Sequence, residues 1–407
     1  MSACLYDHLC GGCDRPQWIS AERKSHLLCE LSKWANTPSI DFGYHAFGEW
    51  SLRDRVDLTL DSSSGTARLG LYAKTWGERE LIDLPGCPQL SPALESWLRD
   101  FRRDLPPLEG RGSVRLRVSP SGLRGVWLDF ANIDLKKVLD EEAWLNRQAT
   151  QSVIVEMGQR RKRAQRDDSR WRLVDPRPEA WFETWLSRPS GLATHRESSL
   201  DLPLLSPHPL YGKIASFTQP SRAANRELIR LALRDLHIED HALELGSGIG
   251  NFTLPMASRA KSVTCWENDR SALEDLHFNL ERAQLLGQVQ IQAVDFIRGL
   301  HSESMAESMA ESWAGRGDGE QPRSATPNFI LVDPPRAGLG DFAETLAKAQ
   351  GPLSRLEKIS YVSCYPESWA RDLRILNSRG WKLIEAHLID QFPRTRHYEI
   401  VSHLRRG

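Results

Sequence analysis

The feature that most constrains this chain is the alternation running through its second half. From residue 222 onward, strand-length apolar runs trade places with helical segments: "HALELG", "VTCWEN", "VQIQAVD", "NFILVDPP", "ISYVSC", "WKLIEAHL" and "YEIVSHL". The helical stretch "RAANRELIRLALRDL" at 222–236 opens the series. Strands flanked by helices pair mainly in parallel and bury both faces, so the pattern predicts a doubly wound α/β sheet. Such sheets bind ligands outside the carboxyl ends of their strands. Residues at those ends therefore carry most of the functional argument.

The first half is built differently. Residues 1–38 hold Cys4, Cys10 and Cys13 and then the amphipathic stretch "ISAERKSHLLCELSKWA". Three cysteines in thirteen residues read as ligation rather than packing. Cys29 and Cys265 lie in apolar runs and are expected in the core. Residues 39–215 switch to period two with Ser/Gly and Pro-Ser-Gly turns, which predicts an antiparallel β-rich region. The run "RRKRAQR" at 160–166 is expected to touch phosphate. Residues 216–407 form the α/β domain, and the duplicated Ser-Met-Ala-Glu segment at 302–327 is expected to be a flexible insertion without a catalytic part.

Bulk properties exclude a few classes. At 407 residues the chain needs two or three domains. It has no apolar stretch of membrane-spanning length and no signal segment, so a cytoplasmic, membrane-free protein is expected. Seven cysteines in such a compartment argue against disulfides. A net charge of −1 advertises no polyanion, yet a local basic face is sufficient for one. No obligate protein partner is evident.

At the first strand end, "ALELGSGIGNFTLPMA" places Gly246, Gly248 and Gly250 where strand turns into helix, letting backbone approach a ligand. Glu267 ends the next strand, placed to accept ribose hydroxyls, and Asp295 ends the third, suited to an adenine amino group. Together with the incomplete glycine fingerprint, they favour S-adenosylmethionine over a dinucleotide. "LVDPPRAGLG" ends a further strand at Asp333, with prolines that stiffen the exit and Arg336 as a positive group. "YVSCYP" then puts Cys364 at a strand end, where a thiol can be packing or chemistry. Glu399, after the turn "FPRTRH", supplies a carboxylate that could share its pocket.

In combination, "FTQ" (217–219), "ELGSGIGNFTLP", "DPPRAG", "SCYP" and "FPRTRHYE" resemble the RNA 5-methyluridine methyltransferase family, the TrmA/RlmC/RlmD type, over nearly the whole chain. The cluster "CLYDHLCGGC" beginning almost at residue 1, with no TRAM domain before it, is most similar to the RlmC-like 23S rRNA branch. The resemblance implies a Rossmann-like class I S-adenosylmethionine methyltransferase domain preceded by the smaller β-rich region. It implies Cys364 as nucleophile and Glu399 as the base for the C5 proton. Gln219, Gly246, Glu267 and Asp333 fall on the cofactor contacts, with Gly248, Asn251 and Asp295 nearby. Cys4, Cys10, Cys13 and Cys87 match a 4Fe–4S ligand set, for which zinc is the competing occupant. The chain departs from the family at Tyr365 and Ser221, where Asn is usual.

The implied reaction is methylation of uracil C5 in 23S rRNA through a covalent Cys–C6 adduct. The alternatives are the same chemistry on the tRNA T-loop, and a catalytically silent iron–sulfur RNA-binding protein.

Overall fold

The computed structural model describes residues 4–7, 9–13, 20–35, 40, 42–73, 80–131, 134, 136–168, 170–187, 205–295 and 326–407. The segment expected as an insertion at 302–327 lies almost wholly outside the described residues.

Helix α1 (Ser20–Ala35) and strand β1 (Phe42–Ala46) come first. The β-rich region follows: β2 (Arg55–Asp61), β3 (Arg68–Tyr72), β4 (Leu81–Asp83), α2 (Pro92–Arg103), β5 (Arg111–Val118) and β6 (Arg124–Asp129). Two short helices, α3 (Lys137–Asp140) and α4 (Glu142–Thr150), lead to β7 (Val153–Met157), β8 (Lys162–Asp167) and β9 (Arg170–Val174). These strands form one sheet in the order β4-β3-β2-β5-β6-β7-β8-β9, antiparallel except between β6 and β7. Helix α2 covers it because Leu94, Trp97, Leu98 and Phe101 recur at helical spacing and all are buried. The Ser91 side chain caps the start of α2 by accepting from the Leu94 N–H, and Pro92 takes the position where a missing N–H costs nothing.

A hairpin, β10 (Glu179–Ser187) with β11 (Leu205–Gly212), leads into the α/β domain. There α5 (Arg222–Ala232), β12 (His241–Leu245), α6 (Thr253–Ala257), β13 (Ser262–Glu267), α7 (Arg270–Arg282), β14 (Val289–Ala293) and β15 (Phe329–Val332) follow in turn. Then come α8 (Phe342–Lys348), β16 (Lys358–Ser363), α9 (Pro366–Ser378), β17 (Trp381–Asp390) and β18 (Glu399–Arg406). The sheet order is β1-β17-β18-β16-β15-β12-β13-β14, and only β18 runs antiparallel to its neighbours. Alternate residues serve opposite faces. Leu243, Leu245, Ile330, Val332 and Tyr361 meet α1, α8 and α9, whereas Ala242, Phe329, Leu331 and Val362 meet α5, α6 and α7. The chain order reverses at β12, between β15 and β13, so a crevice opens at the carboxyl ends of these strands.

Two features were not legible locally. Helix α1 packs Leu27, Leu31 and Ala35 into the α/β core, and β1 pairs in parallel with β17. The amino-terminal segment is thus docked on the catalytic-type domain, each buried leucine contributing roughly 1.5–3 kcal/mol. Cys29, expected in the core, is exposed. It lies two residues from Leu27 and Leu31, which turns it toward the opposite side of the helix. Cys265 is fully buried, as expected.

Candidate active site

At the carboxyl ends of the α/β sheet lies a cavity of about 980 Å³, lined by Gln219, Gly246, Gly248, Asn251, Glu267, Asp295, Asp333, Arg336, Cys364 and Glu399, among others. All nine residues expected at the catalytic and cofactor positions meet there. The volume suits a nucleoside-sized ligand together with part of a second molecule.

The glycine loop has the conformation its sequence requires. Gly248 has φ +53 and Gly250 φ +101, values that side chains disfavour, and a Cβ at Gly250 would lie 2.6 Å from Leu254 Cδ1. Glu267 Oε2 accepts from the Gly248 N–H at 2.8 Å, and its Oε1 accepts from the N–H groups of Asn268 and Asp269, both at 2.8 Å. Backbone donors thus fix this carboxylate, while its remaining lone pairs are available to hydroxyls. Asn251 is held by a reciprocal pair of 2.8 Å bonds with Asn225 of α5.

The deeper wall is acidic. Burial pushes the Asp333 carboxyl up to about 7. Burial, then the nearby Asp333 charge, pushes Glu399 up to about 8, against the opposing hydrogen bond from Gln391 and the charge of Arg336. The Cys364 thiol is raised to about 11 by burial, with Glu399 and Asp333 adding and Arg336 opposing. Glu244 behind the glycine loop is also raised to about 8 by burial, while the Thr253 hydroxyl donates to it at 2.6 Å. A cation brought into this wall would be favoured, and a pyrophosphate would meet repulsion. The cavity therefore fits a sulfonium nucleoside better than a dinucleotide.

The loops that shape the cavity are held by arginines whose importance the sequence did not reveal. Arg117, on β5, is buried and donates to the carbonyls of Lys213, Ile214 and Ser216 and to the Thr218 hydroxyl. Arg115 adds a bond to the Ala215 carbonyl, and Arg55 donates to the Thr218 carbonyl while lying over the Phe217 ring. The β-rich sheet thereby fixes the 213–219 loop, leaving Phe217 70% exposed at the cavity rim. Arg23 of α1 does the same for 390–398. It makes a two-pronged ion pair with Asp390 at 2.6 and 2.8 Å and donates to the carbonyls of Phe392, Thr395 and His397.

The basic run at 160–166, expected to touch phosphate, also makes contacts within the protein. Lys162 pairs with Asp175, and Arg163 pairs with Glu156 and Glu179. Arg161 reaches the cavity and donates to the Ser271 hydroxyl at 3.2 Å. Arg163 is thus engaged with buried Glu156, whereas the Lys162–Asp175 pair lies at the surface and Arg160 and Arg166 are exposed. Ser221, where the family commonly has Asn, caps α5 by accepting from the Ala224 N–H, and Tyr365 is exposed at the start of α9.

Cys4, Cys10, Cys13 and Cys87 lie near enough to influence one another's ionisation, and Cys10 bridges to Ala73 just after β3. Burial raises the Cys13 thiol, and the neighbouring Cys10 and Cys4 raise it further. Burial likewise lifts Cys87 to about 11, with Cys13 and Cys4 adding. Mutually repelling thiolates are the donor chemistry that a thiophilic cation relieves. Among the described residues, however, no three His, Cys, Asp or Glu side chains are arranged to hold a metal ion.

The fold and the acidic strand-end cavity define a Rossmann-like, S-adenosylmethionine-dependent methyltransferase. Residues 209–406 match the family model of tRNA (uracil-5-)-methyltransferases. An RNA methyltransferase of Bdellovibrio bacteriovorus, itself uncharacterised, is 35% identical over 99% of this chain and 95% of its own length. The chain belongs to this RNA uracil-C5 methyltransferase family. The 23S rRNA (uracil(1939)-C(5))-methyltransferase RlmD of Chromohalobacter salexigens is 29% identical over 97% of this chain and 74% of its own. A solved structure, the Pyrococcus abyssi tRNA (uracil-54, C5)-methyltransferase with S-adenosyl-L-homocysteine, shares the fold with a TM-score of 0.63 at 18% identity, covering 97% of this chain and 86% of that one. Among the described residues no helix is long and apolar enough to cross a membrane.

Proposed function

We propose that this enzyme methylates uracil C5 in 23S rRNA through a covalent bond between Cys364 and C6 of the base. The observation that carries the reading is the convergence of Cys364, Glu399, Asp333 and Arg336 on one wall of the cavity whose opposite part suits an adenosyl group. S-adenosylmethionine supplies an electrophilic methyl on a sulfonium. Gly246, Gly248, Asn251, Glu267, Asp295, Asp333 and Gln219 would hold it.

Uracil C5 is too weakly nucleophilic to take that methyl unaided. In this reading the Cys364 thiolate adds to C6, and the C5–C6 π pair moves onto C5 and the adjoining carbonyl. The C5 carbon then forms its bond to the methyl as the methyl–sulfur bond breaks. Glu399 removes the C5 proton, the freed pair restores the double bond, and Cys364 leaves as thiolate. Arg336, the positive group opposing the rise of both Cys364 and Glu399, favours the thiolate and the ionised base. The base must leave its stack to reach Cys364, which favours a loop or single strand, and exposed Phe217 offers a face at the rim.

The rRNA target rests on the named relatives that span most of the chain, while the tRNA T-loop is the alternative. For Cys4, Cys10, Cys13 and Cys87 we propose a 4Fe–4S cluster, with zinc as the competing occupant; it would pin the amino terminus and take no part in electron transfer. Incubating the enzyme with labelled S-adenosylmethionine and unmodified 23S rRNA or tRNA, then mapping 5-methyluridine by mass spectrometry, tests the target. Label in the tRNA T-loop with none in 23S rRNA would overturn the rRNA assignment. Stoichiometric zinc without iron or sulfide would overturn the cluster.

A further inference from the structure

Gln391 sits in the turn after β17, only 1% exposed, and its side chain touches two residues of the cavity wall. Its amide nitrogen donates to Glu399 Oε1 at 3.2 Å and to Gln219 Oε1 at 2.9 Å. Among the described residues, its own carbonyl oxygen has no hydrogen-bond partner. A buried acceptor without a partner in the protein is disfavoured and calls for an explanation, a catalytic role being one.

The chemistry of the three groups sets one direction. An ionised Glu399 can only accept, so Gln391 must turn its nitrogen toward it. The same nitrogen then requires an acceptor from Gln219, which takes up the Gln219 oxygen. The Gln219 nitrogen is left as the end that can face the cavity Gln219 lines. One amide thus passes the polarity of the carboxylate to a second wall of the site. Arg23 keeps the turn in place through the Asp390 ion pair immediately before it.

We propose that Gln391 is a positioning residue for the methyl-transfer site, holding the Glu399 carboxylate in its proton-accepting orientation and fixing Gln219 as a donor toward the bound molecules. The proposal rests on the reading of Cys364 as nucleophile and Glu399 as base. Gln391 touches neither reacting atom and acts through those two side chains.

The test compares Gln391→Met, which keeps the bulk and loses both bonds, and Gln391→Glu with the unaltered enzyme. RNA bearing 5-fluorouridine traps the adduct before proton removal, because fluorine cannot leave as a cation. Both variants should trap it within a few-fold of the parent rate. On ordinary uridine RNA they should release product at least tenfold more slowly and accumulate a methylated RNA–protein adduct. Gln391's hydrogen bond holds the Glu399 carboxyl down. Its loss in Gln391→Met should therefore move the pH midpoint of adduct breakdown upward by about one to two pH units. Gln391→Glu should shift it further, since a second carboxylate repels the first. Release with the parent midpoint would overturn the proposal, as would loss of fluorouridine trapping in both variants, which would mark Gln391 as a fold residue. If the parent enzyme itself fails to trap fluorouridine, or still traps it as Cys364→Ser, the underlying nucleophile reading fails instead.

Discussion

Replacing Glu399 by Gln separates chemistry from stability in a way the structure makes quantitative. The carboxyl is 5% exposed, and burial moves it from its ordinary 4.5 to about 8. That interval corresponds to roughly 5 kcal/mol, at about 1.4 kcal/mol per pH unit, that the folded ligand-free protein forgoes by carrying the charge. Because the folded value is raised, Glu399's contribution to stability is intact below about 4.5, where folded and unfolded chains are both protonated. It declines through the interval above and levels off beyond about 8. Glu399→Gln has no such proton to lose. Its stability relative to the parent should therefore rise with pH across this interval, approaching roughly 5 kcal/mol as an upper limit. Urea unfolding of both proteins without ligand, from about pH 5 to about pH 9, measures this difference. The same variant should still attack and methylate RNA but fail to release it. A stability difference that stays flat across the range would refute the claim that burial, rather than solvent, governs this carboxylate.

Three further outcomes follow from particular contacts. Arg23→Ala leaves Asp390 buried without its partner and should cost about 3–5 kcal/mol in denaturant unfolding, with activity falling as the 390–398 turn loosens. Ser221→Ala removes the α5 cap and should cost about 1 kcal/mol, whereas Ser221→Asn, a comparable cap, should leave stability nearly unchanged. Gly250→Ala, forced to φ +101 with a Cβ against Leu254, should weaken S-adenosylmethionine binding in calorimetry by tenfold or more while leaving the β-rich sheet intact by circular dichroism.

What the sequence disclosed and what it withheld have a common physical basis. Strand–helix alternation and glycine turns are local signals, so the α/β sheet and its strand ends at Gly246, Glu267, Asp333 and Cys364 were legible, and these residues share one cavity. Contacts that depend on distant partners were not. Arg23 meets Asp390 across 367 positions, and Arg117 meets the 213–218 loop across about a hundred; neither carries a local pattern. The carboxylate partners of the 160–166 run, Glu156, Asp175 and Glu179, became visible only once β7–β10 were folded together. Gln391 could have been suspected from its place in "DQFPRTRHYE", just ahead of Glu399, yet only the fold shows that it also reaches Gln219.

The most direct test of the central claim is peptide mapping of the trapped complex. The enzyme is incubated with S-adenosylmethionine and 5-fluorouridine RNA, digested, and sequenced by mass spectrometry. The account predicts one nucleotide, already methylated at C5, attached to the peptide through Cys364, and no adduct in Cys364→Ser. Attachment at any other residue, or an adduct that persists in Cys364→Ser, would contradict it.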